Sequence, residues 1–412
     1  MEPRLRAGLS AGARPELTGS VRSDTEGPTI LPPLALYVHI PWCRRKCPYC
    51  DFNSYPRHGQ LPEAAYVERL LWDLAQEVTV LTSPRPLVSL FIGGGTPSLL
   101  SGRAITELLR GVRDRIELPS DAEITLEVNP GTADAERITV YRQAGVDRLS
   151  IGAQSFSTRQ LKRIARIHGP EDIRTTVDQA RQAGFENLNL DLMYGLPEQS
   201  LTHAYRDLEQ ALALGPEHIS YYPLTLEPGT AFHRVPPPLP DQDLIADMQQ
   251  QGIALLASQG FEPYEVSAYA AVGHRCRHNL NYWQFGDYIG IGAGAHGKLT
   301  DPTRQRVERR WKRHDPVAYL DPANRDRLVG GQQTLSPADL ILEFALNALR
   351  LPQGFEASLF ERHTGLPFTR IADRVDAARA AGLLVSEPGP RVRPTELGRG
   401  FLDDLLGYFV PR

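Results

Sequence analysis

The chain has 412 residues, 41% hydrophobic and 23% charged, enough to bury a large core and to build one large and one small domain. Its 45 basic and 49 acidic side chains leave a formal net charge of −4, which argues against a global basic field for nucleic acid, and no apolar run approaches the ~18 residues of a membrane span. With no signal-peptide h-region at the amino terminus a cytoplasmic protein is expected, and three of the four cysteines fall within eight positions, which points to metal rather than disulfides.

Residues 1–33 are rich in Gly, Ala, Pro, Ser, Thr and Arg without apolar periodicity and end in Leu31-Pro32-Pro33, the composition of a disordered extension. Its arginines suit a transit peptide, but Glu2, Glu16, Asp24 and Glu26 oppose one. From Leu34 onward short apolar runs alternate with amphipathic stretches, the pattern of parallel βα units. Strands are predicted over 34–40, 87–92, 123–128, 148–152, 188–192 and 219–224, and helices over 63–80, 104–113, 133–144, 170–183 and 201–214. About six such units make an α/β partial barrel, whose functional groups gather at the carboxyl ends of the strands.

Those ends are polar or glycine-rich. The first strand runs into Cys43-Arg44-Arg45-Lys46-Cys47-Pro48-Tyr49-Cys50, spaced C-x3-C-x2-C. Pro41 and Pro48 disfavour a regular helix, so a loop wrapping a metal fits better. Three thiolates can converge on one iron–sulfur cluster, and a cubane cluster wants four ligands, which leaves one iron open for chemistry. A zinc site more often shows two C-x2-C pairs or a nearby His pair. The second strand ends in Gly93-Gly94-Gly95-Thr96-Pro97, where missing side chains let backbone approach a ligand, although the same run is also an ordinary turn. The third ends in Glu127 and Asn129, the fourth in Gln154 and Ser155, the fifth in Asp191, the sixth in Thr225. Glu127 and Asp191, flanked by strand residues, suit a polar ligand in the barrel mouth better than a helix cap or a surface charge.

Farther on, Gly290-Ile291-Gly292-Ala293-Gly294-Ala295-His296-Gly297 is a poor dinucleotide fingerprint, lacking both the acidic residue at the usual spacing and the surrounding βαβ unit. It is expected to be a loop bordering the cavity. Beyond about Thr300, Arg304, Arg306, Arg309, Arg310, Lys312 and Arg313, interrupted by Trp311, form a basic run that suits a solvated face or an acidic ligand. Helices over 337–349 and 369–381, a hairpin of 383–386 with 391–393 and a last helix over 395–406 describe a small, mostly helical, winged-helix-like C-terminal domain. DNA binding is disfavoured, because the candidate recognition helix mixes Asp373 and Asp376 with its arginines. The expected organisation is therefore an extension at 1–33, a partial barrel with a cavity-closing segment at 34–299 and a C-terminal domain at 300–412.

C-x3-C-x2-C after a first strand is the signature of the radical S-adenosylmethionine (SAM) enzymes. The string Tyr37-Val38-His39-Ile40-Pro41-Trp42-Cys43 through Cys50-Asp51-Phe52 resembles, more narrowly, the branch of the oxygen-independent coproporphyrinogen III dehydrogenases and their relatives, the HemW haem chaperones. The likeness extends over most of the chain from Leu34, including a HemN/HemW-type C-terminal domain. It implies a 4Fe–4S cluster on Cys43, Cys47 and Cys50, with the amino and carboxylate groups of SAM on the open iron and cleavage to a 5'-deoxyadenosyl radical. It further implies that Tyr37, Gly94, Gly95, Thr96 and Glu127 hold this SAM and that Gln154, Arg166 and Asp191 hold a second, although Lys162 and Arg163 are competing cations beside Arg166.

Two departures separate the chain from the dehydrogenases. They carry a further Cys where this chain has Phe52, and a longer folded amino-terminal extension. Both differences match the HemW relatives, which bind haem and pass it on. His278-Asn279-Leu280-Asn281-Tyr282-Trp283 resembles the H-N-x-x-Y-W motif of that branch, whose histidine is implicated in haem binding. On the residues alone a hydrogen-bonded core histidine beside packed aromatics is the simpler reading; the resemblance makes His278 the candidate haem ligand, with Cys276 expected to be inert. A haem chaperone is thus expected, with haem as cargo. Its expected partners are acceptor haemoproteins, membrane-associated respiratory ones among them, and an electron donor such as flavodoxin or ferredoxin. The alternative is a dehydrogenase that decarboxylates coproporphyrinogen III propionates by radical chemistry in porphyrin biosynthesis. A tRNA-modifying enzyme ranks last for a weakly acidic chain.

Overall fold

The computed structural model describes residues 30–57, 59–387 and 389–411. The expected extension at 1–33 lies outside the described residues except for its last four. Twelve strands form one sheet. They are β1 Leu34–Ile40, β2 Leu87–Gly94, β3 Glu123–Val128, β4 Arg148–Gln154, β5 Asn187–Tyr194, β6 His218–Pro223, β7 Glu262–Pro263, β8 Ala268–Ala270, β9 Asp287–Ile291, β10 His296–Asp301, β11 Arg306–Lys312 and β12 Val329–Thr334. Their order is β12-β11-β10-β9-β1-β2-β3-β4-β5-β6-β8-β7. β1 to β6 run parallel in chain order, β9 joins them parallel to β1, and the outer strands on both sides are antiparallel.

The two phases of each strand explain the barrel. Leu36, Val38, Leu90, Ile92, Leu126, Leu149, Ile151, Leu188 and Leu190 are fully buried in the main core, against helices such as Glu63–Thr79 and Gly102–Arg113. The other phase is polar: Ser89, Glu123, Thr125, Glu127, Arg148, Ser150, Asn189, Asp191, His218 and Ser220. A parallel barrel ordinarily fills its interior with branched aliphatic side chains, so a polar interior reserves space for a ligand. The helices between start where side chains cap them, at Ser101, Asp134 and Ser200, each accepting a backbone N–H three residues on.

The six predicted strands and five predicted helices are all present, with ends shifted by at most two residues. The helix Gln242–Ser258 and strands β7 to β12 are additions. The expected loop over 290–297 is instead the end of β9, a short turn and the start of β10, with Gly290 so close to the His296 backbone that a Cβ would lie 1.9 Å from its carbonyl oxygen. The basic run is β11, and its charges are spent internally: Arg306 on Glu308, Arg309 on Glu343, Arg310 on Glu77 and Lys312 on Asp73 and Glu77. Within β11 the run is neither a solvated face nor a free anion site, whereas Arg304, outside the strand, stays largely exposed 3.7 Å from Asp301.

The expected boundary after residue 299 cuts through β10, whereas the sheet continues to Thr334 and a second core gathers Phe285 and Val307 with residues from Leu335 to Phe409 around Phe344 and Phe360. Here the order helix Pro337–Ala348, strand Phe355–Glu356, helices Ala357–Thr364 and Ala372–Ala380, then strand Arg391–Val392 is that of a winged helix. Arg391–Val392 pairs mainly with Phe355–Glu356, and only the Leu384–Pro394 bridge represents the expected hairpin. The expected last helix is broken at Phe401 into Glu396–Gly400 and Leu402–Gly407.

Candidate functional site

One cavity opens at the carboxyl ends of β1 to β6 and continues down the polar interior. Cys43, Cys47 and Cys50 line its mouth beside Gly94, Gly95, Thr96, Glu127, Gln154, Arg166 and Asp191. The topology therefore brings together residues up to 148 positions apart in the chain, as the alternation of βα units requires.

The cysteine loop is pinned at both ends. The Asn53 side chain donates to the carbonyls of Ala293 and His314, and His39 Nε2 lies 2.8 Å from the Asn53 carbonyl. Cys50 Sγ lies 3.7 Å from Ser54 Oγ, and Cys47 Sγ lies 3.9 Å from Arg166 Nη1. Burial pushes the Cys43 and Cys50 thiols up, against the hydroxyl of Ser54, so bringing them to thiolate calls for a cation in their midst. Among the described residues no group of three His, Cys, Asp or Glu side chains is arranged to hold a single metal ion. A polynuclear cluster takes one thiolate per iron and fits three thiols distributed around a cavity mouth.

The glycine run has an intramolecular cause. Gly94 sits at φ +114°, and a Cβ there would lie 2.6 Å from the His39 ring; at Gly95 it would lie 2.6 Å from the Trp42 carbonyl oxygen. Glycine is thus required for β2 to press against β1 and the cysteine loop, and the Gly94 N–H is directed to Glu127 Oε2 at 3.0 Å. Burial, and then the neighbouring Asp191, push the Glu127 carboxyl up to about 8. Asp191 is also raised by burial, against hydrogen bonds from Asn189 and the hydroxyls of Ser220 and Ser150. Two carboxyls held up in one polar cavity suit a cationic ligand, which would draw both toward the ionised form.

Arg166 is not a helix-surface arginine. Ala165, at φ +56°, turns the chain so that Nη2 donates to the Gly152 carbonyl at 2.7 Å and to Asn129 Oδ1, while Nε is buried without a partner among the described residues. Its competitor Arg163 pairs with Glu198 outside the cavity. Asn129 also donates to Thr96 Oγ1 at 2.9 Å, so one amide links the glycine turn to Arg166. Gln154 holds the left-handed conformation, φ +67°, at a register shift in β4, and its Oε1 accepts from Tyr222 at 2.8 Å. A non-glycine residue in that region at a cavity wall is the kind of local strain that collects at binding sites.

Tyr37 and His278 lie off the cavity wall. The Tyr37 hydroxyl is 3.0 Å from His39 Nδ1. His278 is 2% exposed, with Nδ1 2.9 Å from Ser89 Oγ, Nε2 3.1 Å from the Tyr282 hydroxyl and its ring stacked 5.1 Å from Phe91. Burial depresses its pKa to about 3. Cys276 is fully buried, its thiol directed at Glu123 and pushed up to about 12 by burial. Phe52 lines the cavity mouth and is 40% exposed. Trp283, the last residue of the His278–Trp283 motif, lines the cavity, as do Arg148 and Arg350, which the sequence does not single out. Arg148 shares the inward phase of Ser150 and Gln154, which is a legible signal, whereas Arg350 arrives from the C-terminal part and carries no local one.

The chain matches the radical SAM superfamily over residues 37–211 and the HemN C-terminal domain over residues 335–401. It is 48% identical over 380 residues to the heme chaperone HemW of Escherichia coli, spanning 92% of this chain and 99% of that protein. To the heme chaperone HemW of Haemophilus influenzae it is 44% identical over 383 residues, spanning 92% and 98%. Among solved structures, coproporphyrinogen III oxidase (HemN) from Escherichia coli shares the fold with a TM-score of 0.78 at 23% identity, over 92% of this chain and 90% of that one.

Proposed function

The chain belongs to the HemW haem chaperone family within the radical SAM superfamily, and from that premise we propose that it binds haem and passes it to acceptor haemoproteins. The observation that carries this reading is the near-complete span of the two chaperone relatives, 99% and 98% of their lengths. Phe52 at the cavity mouth supports it, because the dehydrogenases that the chain also resembles carry a cysteine there.

As a radical SAM protein the chain takes a 4Fe–4S cluster and SAM. Cys43, Cys47 and Cys50 are proposed to hold the cluster. Gly94, Gly95, Thr96 and Glu127, with Tyr37 behind them through His39, are proposed to hold the SAM on its open iron. Glu127 would meet the ammonium and the backbone of the glycine turn would hold it in place. Gln154, Arg166 and Asp191 offer the second polar wall. The bound cluster and SAM supply one-electron chemistry; the chain's own part is to position the carboxyls and exclude water. Flavodoxin or ferredoxin would be the reductant, and membrane-associated respiratory haemoproteins are proposed among the acceptors.

His278 enters as the candidate iron ligand only by exchange. Its ring would have to release Ser89 and Tyr282 and leave the stack on Phe91. Anaerobic reconstitution followed by haem titration at the Soret band, and by transfer to an apo-acceptor, tests the proposal. Stoichiometric binding with transfer is expected. Steady protoporphyrinogen formation from coproporphyrinogen and SAM would instead make the protein a dehydrogenase. A haem spectrum unchanged in His278→Ala would leave that residue a buried support beneath the cavity.

A further inference from the structure

The deep end of the cavity holds a guanidinium that no described residue bonds, although Glu123 and Asp191 lie close enough to favour its charge. Arg148 opens β4 in the inward phase and lines the cavity, yet it is only 2% exposed. Its Nε has no hydrogen-bond partner, and its guanidinium makes no hydrogen bond or ion pair among the described residues. The carboxylates in its neighbourhood are committed elsewhere. Glu123 accepts the N–H groups of Arg277 and His278 and the Cys276 thiol. Asp191 accepts from Asn189 and Ser150, and Glu265 is paired with Arg350 at 2.7 Å.

Two further polar atoms are unsatisfied among the described residues. Thr125, the register neighbour of Arg148 on β3, has a buried Oγ1 without a partner. Trp283, on the cavity wall, has a buried indole N–H without an acceptor. A guanidinium withdrawn from water and left unpaired is strongly unfavourable in a finished core, and so is each orphaned donor. Such groups persist where a ligand completes them.

We propose that Arg148 anchors an anion subsite at the floor of the barrel that receives a carboxylate of the cavity's ligand, with the Trp283 N–H as an additional donor. The planar fork of arginine matches a carboxylate's two oxygens. Identifying that carboxylate as a haem propionate rests on the chaperone reading. The methionyl carboxylate of SAM is the other source of the same chemistry, and depth argues against it. The Gly152 carbonyl that holds Arg166 at the cysteine end lies four residues along β4 from Arg148, roughly 13 Å at the usual rise of a strand. A ligand reaching from the cluster to the floor must span that length, as a tetrapyrrole with its propionates does.

The test uses the full chain, reconstituted anaerobically, as wild type, Arg148→Met and Arg148→Lys, titrated with haem and with haem dimethyl ester. Wild type is expected to favour haem over the diester by roughly tenfold or more, the range of a charge-assisted hydrogen bond to a buried group. Arg148→Met should bring haem down to the diester's affinity without changing the cluster absorbance, and Arg148→Lys should keep part of the preference. A preference that survives in Arg148→Met with SAM binding unchanged overturns the subsite. So does an equal loss of both porphyrins, or a Met variant that fails to fold, which would make Arg148 a structural counter-charge to Glu123 and Asp191. Weakened SAM binding with the haem preference intact would overturn the propionate assignment. If wild type binds neither porphyrin the chaperone reading fails, and glutarate then tests the subsite by itself. A rise in melting temperature in wild type that is absent in Arg148→Met supports it, and no rise in wild type overturns it.

Discussion

Replacing Lys312 with Met should destabilise the protein and loosen the cysteine loop together. The Lys312 side chain is 2% exposed, and its Nζ lies 2.5 Å from both Asp73 Oδ1 and Glu77 Oε1, themselves buried on the helix Glu63–Thr79. Asp73 Oδ2 accepts the Tyr319 hydroxyl at 2.7 Å and the Gly292 N–H at 3.2 Å. The adjoining Ala293 N–H donates to the Tyr66 hydroxyl, which donates to the His39 carbonyl, where β1 runs into the cysteines. Methionine keeps the packing volume but leaves two buried carboxyls with only Arg310, 3.4 Å from Glu77, to compensate them. Removing one partner of a buried ion pair costs about 3–5 kcal/mol, and the residual Arg310 contact places the expected loss near the lower end.

The sign of its pH dependence follows from Asp73. Burial raises that carboxyl above its ordinary value even with Lys312 beside it, and without the lysine it should rise further. The folded state then holds a proton the unfolded chain has released, so the deficit grows as pH rises through the carboxylate range and shrinks in acid. Urea unfolding of the metal-free protein at pH 5 and pH 8, followed by far-ultraviolet circular dichroism, measures it, and the yield of reconstituted cluster reports the loop. A loss under about 1 kcal/mol at pH 8, with no pH dependence, would refute the view that this triad is a compensated buried charge.

Cys47→Ser should abolish the cluster and its visible absorbance while the circular dichroism of the barrel persists; an intact cluster would refute the ligand assignment. Gly94→Ala forces a Cβ into the His39 ring at φ +114°, and is expected to cost about 1–3 kcal/mol in unfolding measurements and to abolish SAM binding in calorimetry. Glu127→Gln should flatten a pH dependence: the folded carboxyl titrates at about 8 and the unfolded one near 4.5. The ligand-free wild type therefore loses stability relative to the variant as pH rises between those values, by roughly 5 kcal/mol at most. Unfolding midpoints at pH 5, 7 and 9 check this, and a difference independent of pH would remove Glu127 as a buried acid.

Much of the barrel was legible because its signals are local. A parallel strand covered by helices must be apolar in one phase over five to eight residues, so β1 to β6 stand out from the chain, and the polar residues at their ends follow from where such strands stop. The cysteine spacing likewise carries its own chemistry. The basic run misleads for the converse reason: Arg309, Arg310 and Lys312 look like a solvated face because the carboxylates that neutralise them, Asp73, Glu77 and Glu343, belong to helices elsewhere in the chain.

The sequence by itself determined the alternation of strands and helices, the cluster motif and the residues that ring the cavity mouth, since each depends on neighbours within a few positions. Only the tertiary structure decided that β9 would extend the parallel sheet beside β1, that Arg166 rather than Arg163 would turn inward, that His278 would be enclosed by Ser89, Tyr282 and Phe91, and that Arg148 would lie unpaired beneath the cavity. Those outcomes depend on which distant carboxylates, carbonyls and rings arrive at the same place, and the free energy of a buried charge or imidazole is set by these arrivals rather than by its own stretch of chain.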